Sequence, residues 1–233
     1  RFGDLDSIGA SIAMAKAVRA MGKPSVVCVN RAKTLAGCLI EKEEQSGADQ
    51  LFAEEAEALQ LLTPHTLVII MDTHNPGMIE SAEIYKNAKT VVVIDHHRKM
   101  VNYIDNAVIF YLEPFASSAS EMVTELLQYL DDSLKIGKTE AEALLAGIML
   151  DTKNFVLKTG VRTFEAAAFL RRMGADRSGS FSPTPWRPIS GNPGWSRRRR
   201  STKTARSQAA TLPPMTCGSS RPRQRMSFWG SAG

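Results

Sequence analysis

Three short runs of residues rich in β-branched side chains, Ser25 to Asn30, Leu67 to Asp72 and Thr90 to Asp95, are apolar continuously rather than at every second position. That is the pattern of strands covered on both faces. Helical or mixed stretches separate them, among them Asp49 to Leu62 and Gly77 to Asn87, and such strand, helix, strand spacing builds a parallel sheet with right-handed crossovers. A fourth run, Val108 to Leu112, joins the sheet. Ahead of the strands, Ile8, Ile12, Ala15 and Val18 mark one face of a helix over Ile8 to Met21, with Asp6 and Ser7 as caps. Beyond them the period turns helical over Ser118 to Leu130, Thr139 to Leu150 and Arg162 to Met173. The expected fold class is α/β, a parallel Rossmann-like sheet with flanking helices.

The chain's 233 residues suffice for an ordinary core, which excludes a disulfide-dependent miniprotein. No stretch approaches the roughly 18 uninterrupted apolar residues of a membrane span. Cys28, Cys38 and Cys217 form no CxxC pair, which points to a reducing compartment, the cytoplasm, and away from a structural zinc site. The net charge of +5 is unevenly spread: residues 177 to 233 hold 11 of the 29 Lys and Arg and no acid, leaving 18 basic against 24 acidic residues in the first 176. This tail also carries all three tryptophans, seven of the eleven prolines and the run Arg197 to Arg200, without hydrophobic period. One reading makes it a nucleic-acid-binding arm. The preferred one is translation in a shifted frame, so the expected division is a domain over 1–176 and a low-order basic tail over 177–233.

Acids gather where such a sheet places its ligands, at the carboxyl ends of strands. Asp72-Thr73-His74 and Asp95-His96-His97 follow two of the runs, Asp4 and Asp6 precede the first helix, and Asp151-Thr152 closes a later one. Several Asp with a His suit a divalent cation, because converging carboxylates repel unless a cation compensates. Mixed oxygen and imidazole donors favour Mn²⁺. A lone Asp after a strand is more often a turn former or cap, as Asp131 and Asp132 are read. The case rests on all clusters occurring together.

DLDSIGA, IIMDTHNPGMIES, VVVIDHHRK, EPFASSASEMVTELLQYL and LLAGIMLDTKNFVLKTGVRTFEAAAFLRRMGAD together resemble the DHH phosphoesterase domain of bacterial cyclic-di-AMP phosphodiesterases, in the membrane-anchored sensory branch. The resemblance spans residues 1–176 and implies a DHH domain truncated at its first strand. It implies two Mn²⁺ ions: one held by Asp4, Asp72 and a His whose position falls before Arg1, the other by Asp6, Asp72, His96 and Asp151. His97 would contact the substrate phosphate, while Asp95 and His74 orient the ligands. The implied reaction is hydrolysis of cyclic-di-AMP to 5′-pApA by a hydroxide between two ions.

The same resemblance implies a homodimer in the intact protein and contact with the membrane only through an upstream region. Nothing after Asp176 matches the family's second, substrate-gripping domain, so this chain is expected to be an inactive piece. Other readings are a DHH oligoribonuclease or adenosine 3′,5′-bisphosphate phosphatase, a module that binds dinucleotide without cutting it, and, from another class, a non-catalytic basic nucleic-acid-binding protein. Ser117, Ser118 and Ser120 open a helix and read as caps more readily than as phosphate donors.

Overall fold

A computed structural model describes residues 3–47, 50–130 and 136–176. The basic tail, Cys217, Asp131 and Asp132 lie outside them. In chain order the elements are α1 (Leu5–Ala20), β1 (Val27–Cys28), α2 (Gly37–Gln45), β2 (Phe52–Ala53), α3 (Glu55–Leu61), β3 (Leu67–Met71), α4 (Ala82–Asn87), β4 (Thr90–Asp95), β5 (Ile109–Leu112), α5 (Ala119–Leu130), α6 (Lys138–Asp151) and α7 (Val161–Arg172). All strand pairs are parallel, as the continuous apolar runs require.

β4 shows why. Val92 and Ile94 point to one face, into a core built by Ala10, Ala13 and Met14 of α1, Met122 and Val123 of α5, Leu144 and Ile148 of α6 and Leu170 of α7. Val91 and Val93 point to the other, against Ile70 and Ile104. With both faces covered, Val91 to Ile94 leave no position for a polar side chain between Thr90, where the strand begins, and Asp95, where it ends. Each of the fully buried Leu144, Ile148 and Ile12 side chains contributes about 1.5–3 kcal/mol by leaving water.

The strands divide between two sheets, β1 with β2 and β3, β4, β5 in that order, where one was expected. Between β1 and β3 lies a cavity of about 750 Å³, whose lining includes Val26, Val27, Ile69 and Met71 with Met14 and Val18 of α1. Two elements had no forecast. β2 is only two residues long, inside a stretch read as helical or mixed, too short to show a period of 2. α2 buries Leu39, Ile40 and Glu43 and otherwise shows charge to solvent. α1 begins a residue after Asp4, whose carboxylate accepts from the Asp6 and Ser7 amides, so the cap is Asp4 and not Asp6 or Ser7.

α1 is the hub, packed on both sheets and on α5 and α6. One side of it, Ile8, Ile12 and Ala15, meets Val27, Val29, Leu39 and Phe52; the other, Ala10, Ala13 and Ala17, meets the main core. Lys16 pairs with Glu43 of α2 and Glu140 of α6, and Lys42 with Glu142, which ties the three helices at their far ends. Small residues let α1 and α6 approach: a Cβ at Gly9 would sit 2.5 Å from the Ala143 carbonyl oxygen. Among the described residues no helix is long and apolar enough to cross a membrane.

Gly9→Ala should therefore lower the free energy of urea unfolding by about 1–3 kcal/mol, the usual cost of overpacking. Gly37→Ala, at a position where a Cβ meets nothing within 4 Å, should leave it unchanged or slightly raised.

Candidate metal centre

β3 and β4 run side by side with Met71 opposite Ile94, so Asp72 leaves its strand beside Asp95 and the His96-His97 pair that follows. Asp72 adopts φ 59°, the left-handed region, a strained conformation that costs of order 1 kcal/mol for a residue with a Cβ. Its amide still reaches back to the Ile94 carbonyl at 2.9 Å, and its side chain is buried.

The helices supply the rest. Asp6, in the first turn of α1, is fully buried, and each of its oxygens accepts a main-chain amide from the start of α5, Ala119 N to Oδ2 and Ser120 N to Oδ1, both at 2.8 Å. The amino end of a helix is the natural partner for a carboxylate withdrawn from water. Asp151 closes α6 and brings its carboxylate toward the same point. Burial first, then the nearby Asp72 and Asp151, push the Asp6 carboxyl up to about 7 despite the hydrogen bond from Ser120.

His96 stands among these acids. Its Nε2 lies 3.1 Å from Asp151 Oδ2, 3.2 Å from Asp72 Oδ1 and 3.8 Å from Asp6 Oδ2. Burial works against protonation, but Asp151, Asp72 and Asp6 outweigh it and push the imidazole up to about 10. Neither ring nitrogen makes a hydrogen bond of acceptable geometry, although the side chain is 1% exposed. A buried imidazole with unsatisfied nitrogens is costly unless something else meets them. Two groups, Asp6 with His96 and Asp151, and Asp72 with His96 and His97, bring their donor atoms within 4.8 Å of one another. These residues fit a divalent cation: carboxylate oxygens and an imidazole nitrogen converge with their donor atoms within one ion's reach of one another.

Asp95 organises the surroundings. Its Oδ1 accepts from the His97 amide at 3.1 Å and meets His97 Nδ1 at 2.7 Å, while Oδ2 meets His74 Nδ1. The far nitrogen of His74, Nε2, accepts from the Met100 amide at 2.9 Å. That fixes His74 as the tautomer with its proton on Nδ1 and ties the loop after β4 to the end of β3. Burial would raise the Asp95 carboxyl, yet the hydrogen bonds from His97 and His74 hold it down at about 2.

Of the expected metal ligands the structure gathers Asp6, Asp72, His96 and Asp151. His97, expected at the substrate phosphate, has its Nδ1 3.5 Å from Asp72 Oδ1, with its side chain 37% exposed. Asp95 and His74 contact His97, the Met100 amide and each other. Asp4 caps α1 and belongs to neither converging group. Ser117, Ser118 and Ser120 are fully buried: Ser117 donates to Glu121, Ser118 accepts from the Glu121 amide, and Ser120 serves Asp6. His65 lies in an exposed loop.

Sequence reasoning missed the Ala119 and Ser120 amides, the Met100 amide, and Thr152, whose hydroxyl donates to the Ile148 carbonyl and accepts from the Phe155 amide. Main-chain donors leave no mark in residue identity, and the one available signal was the small, polar run Ser117 to Ser120 before a helix.

The family model "DHH family, N-terminal domain" matches residues 1–148. The chain is 43% identical over 179 residues to cyclic-di-AMP phosphodiesterase GdpP of Geobacillus thermodenitrificans and 39% identical over 179 residues to cyclic-di-AMP phosphodiesterase PdeA of Listeria monocytogenes. Each match covers 76% of this chain but 27% of the relative, so the chain spans about a quarter of the length of these relatives. Among solved structures, an exopolyphosphatase-related protein from Bacteroides fragilis superposes with TM-score 0.55 at 21% identity, covering 74% of this chain and 50% of that one. A putative family II inorganic pyrophosphatase from Methanococcus jannaschii gives 0.51 at 19%, covering 73% and 52%. At such identities these two show the fold.

Because the Asp95 pKa is depressed on folding, its contribution to stability is present above the unfolded value of 3.8 and is lost as pH falls through about 2. Urea unfolding of the wild-type chain should lose up to about 2 kcal/mol between pH 4 and pH 2 on this account, and Asp95→Asn should show a flatter profile and lower stability at pH 7.

Proposed function

The chain belongs to the DHH family, and from that premise we propose that it is the catalytic domain of a metal-dependent phosphodiesterase that hydrolyses cyclic-di-AMP to 5′-pApA. The observation that carries the reading is His96, buried at the carboxyl rim of a parallel sheet, with carboxylates on three sides and no hydrogen bond from either nitrogen. The names of the relatives support the substrate, and the mixed oxygen and nitrogen donors support Mn²⁺.

Asp6, Asp72, His96 and Asp151 would hold one ion, and Asp4 with Asp72 would contribute to a second. When bound, the ions lower the pKa of a coordinated water and neutralise charge on the phosphodiester. The chain's own groups do the positioning. The α5 amides keep Asp6 in place by gripping both its oxygens. Asp95 aims His97 from below, and the part-exposed ring is then placed to donate to a phosphate oxygen. His74 braces Asp95 against the loop after β4, so the carboxylate cannot turn away to the ion itself. We place this chemistry in the cytoplasm, on residues 1–176, with a homodimer as the working unit of the intact protein.

Calorimetric titration of this chain with Mn²⁺, and chromatography of cyclic-di-AMP after incubation with the intact protein, test the reading. Mn²⁺ should bind the chain, pApA should appear with the intact protein, and Asp72→Ala in it should lower product release by about a hundredfold or more, the scale of losing a group that stabilises the transition state directly. Wild-type turnover in Asp72→Ala, or a wild-type protein without affinity for Mn²⁺, overturns it. Mononucleotide released from pApA with cyclic-di-AMP left intact would move the assignment to the oligoribonuclease side of the family.

A further inference from the structure

We infer that Gly147 is a positioning residue for the metal site, the point at which α6 is allowed close enough to Asp6 for Asp151 to share an ion with it. The inference rests on the metal-binding reading above and adds a residue that neither ligates nor touches substrate.

Gly147 lies in α6 four residues before Asp151, on the same face of the helix. A Cβ built there would stand 2.2 Å from Ser120 Oγ, 2.8 Å from Asp6 Oδ1 and 2.9 Å from Asp6 Cα. The first obstacle is a hydroxyl on a buried helix turn. The others are the backbone and carboxylate of Asp6, which has no freedom to step aside: Ala119 N and Ser120 N hold its two oxygens at 2.8 Å, and Ser120 Oγ donates to its carbonyl at 3.3 Å. Three helices thus meet on one side chain, with α1 presenting it, α5 gripping it and α6 passing over it where a hydrogen atom is all the side chain there is room for.

A methyl at position 147 must move α6, because Asp6 is fixed from the other side. Helices shift as rigid bodies, so a displacement at Gly147 is carried one turn along to Asp151, whose Oδ2 lies 3.1 Å from His96 Nε2. Ligand distances tolerate only about 0.2 Å of error. Leu170→Ala offers a comparison: the side chain is fully buried on α7, a helix that carries no residue of the centre, and its truncation costs stability by leaving a void rather than by pressing α6 away from α1. Both substitutions should cost stability, but only one bears directly on a ligand.

The test is Mn²⁺ affinity by calorimetry, read beside urea unfolding and far-UV circular dichroism, for the wild-type chain, Gly147→Ala and Leu170→Ala at a temperature where each is folded. Gly147→Ala should weaken Mn²⁺ binding at least tenfold, and Leu170→Ala, although it also loses stability, less than threefold. Should Gly147→Ala fail to fold, the double variant Ser120→Ala/Gly147→Ala removes the nearest obstacle while leaving both contacts with Asp6, and should fold with the same weakened affinity. A folded Gly147→Ala or double variant that binds Mn²⁺ within twofold of wild type overturns the inference. So does an equal loss of affinity in Leu170→Ala, which would make the effect one of general stability. A wild-type chain without affinity for Mn²⁺ would instead sink the metal reading, and this inference with it.

Discussion

Asp6, Asp72 and Asp151 reach one another's neighbourhood although like charges withdrawn from water repel. Two devices hold them there. The Ala119 and Ser120 amides, with the partial positive charge of the α5 amino end behind them, hold both Asp6 oxygens in place and offset part of the burial that raises its carboxyl to about 7. His96, its pKa lifted to about 10, supplies a positive charge between Asp72 and Asp151. A proton on His96 and a divalent cation are alternative ways of meeting the same deficit, and the cation carries twice the charge. The chemistry proposed for the centre grows out of an electrostatic imbalance that the fold itself creates.

That imbalance depends on close helix packing. α1, α5 and α6 converge on Asp6 only because the residues between them are small: Gly9, Ala10 and Ala13 on α1, Ala119 and Ser120 on α5, Ala143 and Gly147 on α6. Larger side chains would strengthen the core by burying more apolar surface and would hold the helix axes apart. The weight of the core is carried instead by the buried Met122, Leu144, Ile148 and Leu170, and by the Lys16 and Lys42 ion pairs at the other end of the bundle.

The parallel strands were legible because burial on both faces writes a continuous apolar run, and β4 realises it residue by residue. The residues of the centre were legible because Asp72, Asp95 and His96 stand where strands end, and Asp6 and Asp151 where helices begin and end. The two-residue strand β2 was not, since a pair of residues holds no period, and the division into two sheets is a property of edges that a single strand's pattern does not encode. Nor was the clamp on Asp6. Its donors are main-chain amides, which every residue but proline carries, so only their placement by α5 makes them specific. Asp4 shows that two readings of one residue need not compete: an aspartate there fits the pattern of a ligand and of a helix cap, and the hydrogen bonds from Asp6 N and Ser7 N establish the cap.

Strain concentrates at the same rim. Asp72 is left-handed, and just beyond Asp151 so are Lys153, Asn154 and Phe155 in succession, at φ 48°, 57° and 65°. Each such residue costs of order 1 kcal/mol, and a run of three is held only if its surroundings over-determine it. Thr152 does much of that: its hydroxyl bridges the Ile148 carbonyl and the Phe155 amide, and its carbonyl accepts from the Val156 and Leu157 amides at 2.8 Å. The turn reverses the chain directly after Asp151, so the carboxylate is presented from the last residue of a helix whose continuation is already bent away. Backbone strain is therefore concentrated at the two chain reversals, after β3 and after α6, that present Asp72 and Asp151.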